Sequence, residues 1–425
     1  MSAGANLADA RWLRHGEVAR LLGALNRDGE EARVVGGAVR NALLHMPVNE
    51  IDVATTAVPD EVARRVEAAG WKAVPTGIEH GTVTVVINGR PFEVTTLRED
   101  VETFGRKARV VFGRDWQADA ARRDFTINAL YASAAGDVYD GFGGLADLAA
   151  RRVRFIGDPE QRIAEDYLRI LRFFRFHAHF GEGAPDAAGL SACIRARGSL
   201  ESLSRERVRM ELLKLLVAPR ATPTLAIMTE TGLLQDVLGG VAYLASFENM
   251  TKIEAALGLG ADPVQRLAAL GVWVVDDGTR LATRLRLTNA ETERLAAIDR
   301  WWRVAPRDGA QSAHELLYNL GPQSFTDRVL VAWSRSAAGA ADSSWRELAM
   351  LPQRWTAPAF PLKSADFSRR GVPAGPALGA AMRAAKAAWT AADFPLEPAA
   401  IEAIANAAAA EAARSGQSSD ERETD

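Results

Sequence analysis

The sequence predicts an α+β protein with its strands concentrated in residues 1–135 and a mostly helical remainder. Three observations carry that reading. Residues 82–97, TVTVVINGRPFEVTTL, are two β-rich runs joined by Asn88-Gly89, the strongest short hairpin signal. Residues 34–57, VVGGAVRNALLHMPVNEIDVATTA, set a β-branched pair before a double glycine and a helix-like stretch. From about residue 158 the apolar spacing turns helical and stays so for most of the chain.

Taken in order, Ala32–Val35 reads as a strand ending at Gly36-Gly37, Ala38–Leu44 as a helix and Glu50–Thr55 as a second strand. Pro59–Ala69 is helical by the three- and four-residue spacing of Val62, Val66 and Ala69. Arg98–Arg123 carries few strong signals and reads as a loop, either over a site or plainly on the surface. INALYASAAGDVYDGFGG looks like another hairpin. Ile163–Phe176 reads as one helix, with Ile163, Tyr167, Ile170, Leu171 and Phe174 on its core stripe. Glu165, Asp166, Arg169, Arg172 and Arg175 fall on the opposite arc, joined by Phe173 and Phe176. Gly/Pro-rich breaks near Gly181–Pro185 and Pro352–Pro376 separate helical blocks, and residues 411–425 read as a disordered acidic tail.

Composition narrows the class. With 48% hydrophobic and 25% charged residues in 425, the chain is an ordinary globular protein of several domains. No apolar run approaches the roughly 18 residues that span a bilayer, and the N-terminus lacks a signal pattern, so a cytoplasmic protein without membrane contact is expected. A single cysteine, Cys193, excludes an internal disulfide framework. The net charge of −3 argues against a uniformly basic nucleic-acid binder, but residues 151–220 hold fourteen Lys/Arg against nine Asp/Glu, a local positive patch.

Side chains two apart on a strand share a face, so Glu50 and Asp52 form a like-charged pair. A divalent cation neutralises such a pair, and Mg²⁺ favours carboxylate oxygens together with substrate phosphates. A strand–Gly–Gly–helix junction lets backbone N–H groups approach a phosphate closely. Together, Gly36, Gly37, Glu50 and Asp52 point to a site for a triphosphate and its metal, with Glu93 on the adjacent hairpin as a third carboxylate. Taken alone, the E-x-D and the glycine pair are a solvent-facing strand edge and a plain turn.

VVGGAVRNALL…EIDVATTAVPDEV, FEVTTLRED, RRDFTINAL, YDGFGGLADL, EDYLRILRFFRF and LSRERVRMELLKLL stand in the order of the class II tRNA nucleotidyltransferase and bacterial poly(A) polymerase family, which the chain resembles over residues 30–220. PLKSADFSRRGVPAGPALG resembles that family's tail element. The resemblance implies a polymerase-β-like nucleotidyltransferase head in 1–135, a neck with a base-reading helix in 136–220, and an RNA-binding helical body and tail in 221–410. It also implies Glu50, Asp52 and Glu93 as catalytic groups, the first two holding Mg²⁺. Gly36, Gly37, Arg40, Arg122, Arg123, Asp124, Asp166, Arg169 and Arg172 are then nucleotide ligands. The family usually has Asp where Glu50 stands, and often Asp where Asn41 stands.

Cytosine and adenine each present an amino donor beside a ring-nitrogen acceptor, and a carboxylate next to a guanidinium presents the complement. The resemblance gives Asp166 and Arg169 that task. Arg122 and Arg123 suit phosphate oxygens and Asp124 a ribose hydroxyl. The implied reaction is CCA addition to the 3′ end of tRNA from CTP and ATP. The alternatives are a poly(A) polymerase with the same head, or a non-catalytic RNA-binding protein with a degenerate site. Monomer and homodimer are equally open.

Overall fold

The computed structural model describes residues 5–77, 81–104, 107–298 and 300–420. They divide into two compact units, Met1–Ala242 with Arg284–Arg286, and Tyr243–Thr283 with Leu287–Asp425. The first unit carries the mixed sheet that the sequence predicts.

Seven strands lie in the order β3-β4-β5-β2-β1-β8-β9: β1 Ala32–Val35, β2 Asp52–Thr55, β3 Lys72–Gly77, β4 Thr82–Ile87, β5 Arg90–Thr96, β8 Leu130–Ala132 and β9 Val138–Asp140. Among the described residues only β2 and β5 pair parallel, which requires the crossover made by helix Pro59–Ala68 and the β3–β4 pair. Asn88 and Gly89 both have positive φ, 52° and 78°, so the β4–β5 hairpin turns as its sequence demands.

One transverse row, Val83, Val94, Val53, Val34 and Ala132, is at most 2% exposed. Helices Glu17–Leu25 and Pro59–Ala68 pack on the head's strands, with Leu21, Leu22, Val62 and Val66 at most 1% exposed. The neighbouring row, Glu93, Asp52, Val35 and Tyr131, falls on the other face because side chains alternate along a strand. That face carries acids at one end and the apolar contacts of Val35, Ala54 and Tyr131 at the other.

Several expectations change. The second strand begins at Asp52, leaving Glu50 just before it; Ile51 between them is buried, so both carboxylates still face outward. Arg98–Phe104 and Lys107–Phe112 are two strands, β6 and β7, of a separate antiparallel ribbon rather than a loop. Ile163–Phe176 is not one helix: α1, Pro159–Glu165, and α2, Leu168–Phe180, meet at Asp166, which is extended at φ −156°, ψ 105°. Phe173 belongs to the core, not the outer arc, while Phe176 is buried yet keeps company with Arg172 and Arg175, which lie over its ring. Phe173 stacks on Phe155 at 5.4 Å and Phe176 meets Phe125 at 5.2 Å.

The second unit is helical. Phe247, Met250, Leu267, Phe325, Val329 and Trp333 are fully buried in it. Helices Pro376–Ala391 and Pro398–Asp420 pack through Ala381, Ala385, Ala405 and Ala408, small residues that let two backbones approach. The last helix makes residues 411–420 helical where a disordered tail was expected; 421–425 lie outside the described residues.

Candidate active site

Gly36 leaves β1 with φ 73°, a conformation that L side chains rarely adopt, while its N–H donates to Leu130 O at 2.9 Å. The turn therefore stays open just where β1 ends. Beside it Asp52 and Glu93 are direct register partners on parallel strands. Asp52 reaches solvent but is walled by protein on its other sides. This burial, then the carboxylate of Glu93 and, more weakly, that of Glu50, raise its pKa against the opposing field of Arg123.

Arg40, in the helix Gly37–Leu43 after the turn, is 7% exposed. It donates to the side-chain oxygens of Asn128 and, at 2.8 Å, Asn41, and lies 4.0 Å over the Phe180 ring. Burial, with repulsion from Arg175 and Arg172 outweighing the attraction of Asp124, lowers its pKa to about 10. Asn41, where the family often has Asp, thus serves as a neutral acceptor for this guanidinium.

The helical wall holds the base-reading candidates, and they do not pair with each other. Asp166 Oδ2 accepts from Arg207 at 2.6 Å, and Oδ1 accepts from the Leu168 N–H at 3.1 Å, capping α2. Arg169 donates to Glu165 and to Arg162 O. Arg172 Nε donates to Asp124 Oδ2 at 2.8 Å, while Asn128 donates to Asp124 Oδ1 at 3.0 Å. Burial opposes ionisation of Asp124, but the Arg172 charge and these bonds hold its pKa below the usual carboxylate value.

One cleft of about 590 Å³ gathers Gly36, Gly37, Arg40, Glu50, Asp52, Arg123, Asp124, Asp166, Arg169 and Arg172. Arg122 is turned away onto Asp119 at 2.7 Å, and Glu93, beside Asp52 on the adjacent strand, is not part of the lining. The cleft adds Asn128, Arg175, Phe176, Arg207 and Lys214. Asn128 lies inside RRDFTIN. Arg207 and Lys214 are seven apart on helix α3, Arg205–Leu216, a spacing that puts both on one face. Seven cationic and four acidic side chains line the cleft, an excess that suits a polyanion.

A larger cavity, about 1080 Å³, lies in the second unit among Trp301, Trp302, Trp345 and Trp355. It has no carboxylate row beside a glycine turn, so size does not mark the reaction site. Among the described residues no three His, Cys, Asp or Glu side chains converge as a ready-made metal cage. Asp52 and Glu50, both in the lining, nevertheless fit a cation that takes one or two carboxylates and completes its shell with phosphates.

Clustered carboxylates on a mixed sheet, an open glycine turn and a cationic wall define a nucleotidyl-transferring enzyme. Residues 32–154 match the model of the poly A polymerase head domain, and residues 187–244 that of the probable RNA and SrmB-binding site of polymerase A. Mouse mitochondrial CCA tRNA nucleotidyltransferase 1 is 33% identical over 87% of this chain and 85% of its own length. The CCA-adding enzyme of Limosilactobacillus fermentum is 33% identical over 85% and 89%. The crystal structure of the Bacillus stearothermophilus CCA-adding enzyme in complex with CTP superposes with a TM-score of 0.74 at 28% identity, covering 96% of this chain and 98% of that one. The chain belongs to the class II CCA-adding enzyme and poly(A) polymerase family.

Proposed function

We propose that this enzyme adds C, C and A in turn to the 3′ end of tRNA, using CTP and ATP. The observation that carries the reading is the single cleft in which the carboxylates beside the glycine turn share space with Asp166 and Arg169. The names of its relatives, CCA tRNA nucleotidyltransferase and CCA-adding enzyme, support CCA addition, and the CTP complex of the Bacillus relative supports the nucleotide.

The 3′-hydroxyl oxygen of the RNA attacks the α-phosphorus; the bond to the bridging oxygen breaks and pyrophosphate leaves. Glu50 and Asp52 would hold Mg²⁺, which when bound lowers the hydroxyl's pKa and neutralises phosphate charge. Glu93 sets the field around Asp52. Arg40 and Arg123 neutralise phosphate oxygens at the turn, while Asp124 takes the ribose. Asp166 and Arg169 present acceptor and donor to the base edge, giving up Arg207 and Glu165 to do so. Uracil and guanine offer the reverse order and leave both groups unpaired, which is how the site rejects them.

The reading assigns residues 1–135 to catalysis, 136–220 to base selection and 221–410 to the RNA. It places the enzyme in the cytoplasm; among the described residues no helix is long and apolar enough to cross a membrane. The test is tRNA ending at the base before CCA, given each labelled NTP with Mg²⁺. Two C and one A, then arrest, is the expected product. A long A-tract on unstructured RNA establishes the poly(A) alternative, and no incorporation the non-catalytic one.

A further inference from the structure

Arg123 is held so that one edge of its guanidinium faces the cleft. Nε donates to Tyr131 Oη at 3.1 Å and Nη2 to Asp119 Oδ2 at 3.2 Å. Nη1 lies beside the turn, 3.7 Å from where a Cβ on Gly36 would stand. The ring closes through Tyr131, whose hydroxyl donates to Asp119 Oδ2 at 2.6 Å. Asp119 is 1% exposed, and its Oδ1 accepts two bonds from Arg122, at 2.9 and 2.7 Å. Burial works against its charge, but the guanidiniums of Arg123 and Arg122 and the Tyr131 hydroxyl keep its pKa below the ordinary value.

Two independent elements therefore fix one arginine. Asp119 sits on the helix Trp116–Ala121, and Tyr131 on β8 in register with Val35, the residue before Gly36. One carboxylate shared by two guanidiniums leaves a net positive charge, and the arrangement turns Arg123 rather than Arg122 to the cleft. A long side chain ordered this way has lost its rotamer freedom on folding, so little is lost again on binding.

We propose that Asp119 and Tyr131 are positioning residues, which aim Arg123 at the triphosphate of the incoming nucleotide. This rests on the nucleotidyl-transfer reading of the cleft. Neither residue touches the nucleotide, so their effect is confined to ligands carrying the outer phosphates and vanishes when Arg123 is absent.

The experiment measures Kd for CTP and for CMP, with Mg²⁺, in the full chain and in Arg123→Ala, Tyr131→Phe, Asp119→Asn and the two double variants with Arg123→Ala. Losing Arg123 is expected to weaken CTP about 10- to 100-fold, and Tyr131→Phe about 10-fold, from the worth of a bond to a charged group. CMP affinity stays level, and the double variants are no worse than Arg123→Ala alone. Tyr131→Phe keeps the ring that packs edge-on to Trp116 at 5.4 Å, so it serves where Asp119→Asn fails to fold. CTP and CMP weakening together, or losses that add, overturn the inference and leave Asp119 and Tyr131 as fold residues. If Arg123→Ala itself leaves CTP binding intact, the reading of the cleft fails instead.

Discussion

At the sheet end of the cleft Asp52 stands beside Glu93, with Glu50 near, and burial and like charge raise its pKa. At the helix end Asp166 is paired with Arg207, Arg169 with Glu165 and Arg172 with Asp124. The first end holds like-charge repulsion that a cation relieves, and the phosphates then complete the cation's shell; the second is satisfied before any ligand arrives. A ligand therefore gains binding free energy at the sheet end. On the proposed reading, the helix end exchanges one set of hydrogen bonds for another, which yields little affinity but strong discrimination. The division matches a reaction in which every substrate has the same triphosphate and only the base differs.

The largest expected effect breaks the sheet end. Asp52→Ala is expected to lower single-turnover transfer by about 10²–10³-fold or more, the scale for losing a group that stabilises transition-state charge, while tRNA binding holds. Near-normal turnover would remove Asp52 from the mechanism. Glu50→Asp restores the family's usual residue and keeps the charge. Its rate is expected to stay within about 10-fold of the native enzyme, because one methylene shifts a ligand without deleting it.

The smallest effect is thermal. Asp52 has a raised folded-state pKa, so its protonated form favours the fold: that contribution is complete below the unfolded value and is lost as pH rises through the raised one. Asp52→Asn mimics the protonated form. In metal-free buffer at neutral pH it is expected to melt about 1–2 °C above the native enzyme, a gap that closes in acid. Mg²⁺ with CTP should raise the native melting temperature more than the variant's. A variant that melts lower at neutral pH would show that the acids do not repel.

The two ends also differ in how far the sequence discloses them. The β1–Gly36 turn is legible because β-branched residues, a positive-φ glycine and a helix follow one another within a few positions. The Asn88-Gly89 hairpin is legible for the same reason. The break at Asp166 is not. No Pro or Gly marks it, and the apolar period runs straight through; the extended residue is held by Arg207, 41 positions away. The core position of Phe173 is not legible either, because α2 is covered on more than one side and has no single apolar stripe. Arg122 and Arg123 look alike as a pair. Only Asp119 and Tyr131, brought together by the fold, decide which one faces the cleft.

Competition among all four NTPs, in native enzyme, Asp166→Ala and Arg169→Ala, with a thermal melt of each, tests the helix end most directly. On the proposed reading each variant deletes one partner of the base edge, at roughly 1–3 kcal/mol. CTP and ATP use is expected to fall and their advantage over UTP and GTP to shrink about 10- to 100-fold, with the fold intact. Variants that keep the native preference for CTP and ATP, and merely melt lower, would contradict the account: this wall would then be a salt-bridged surface that does not read the base.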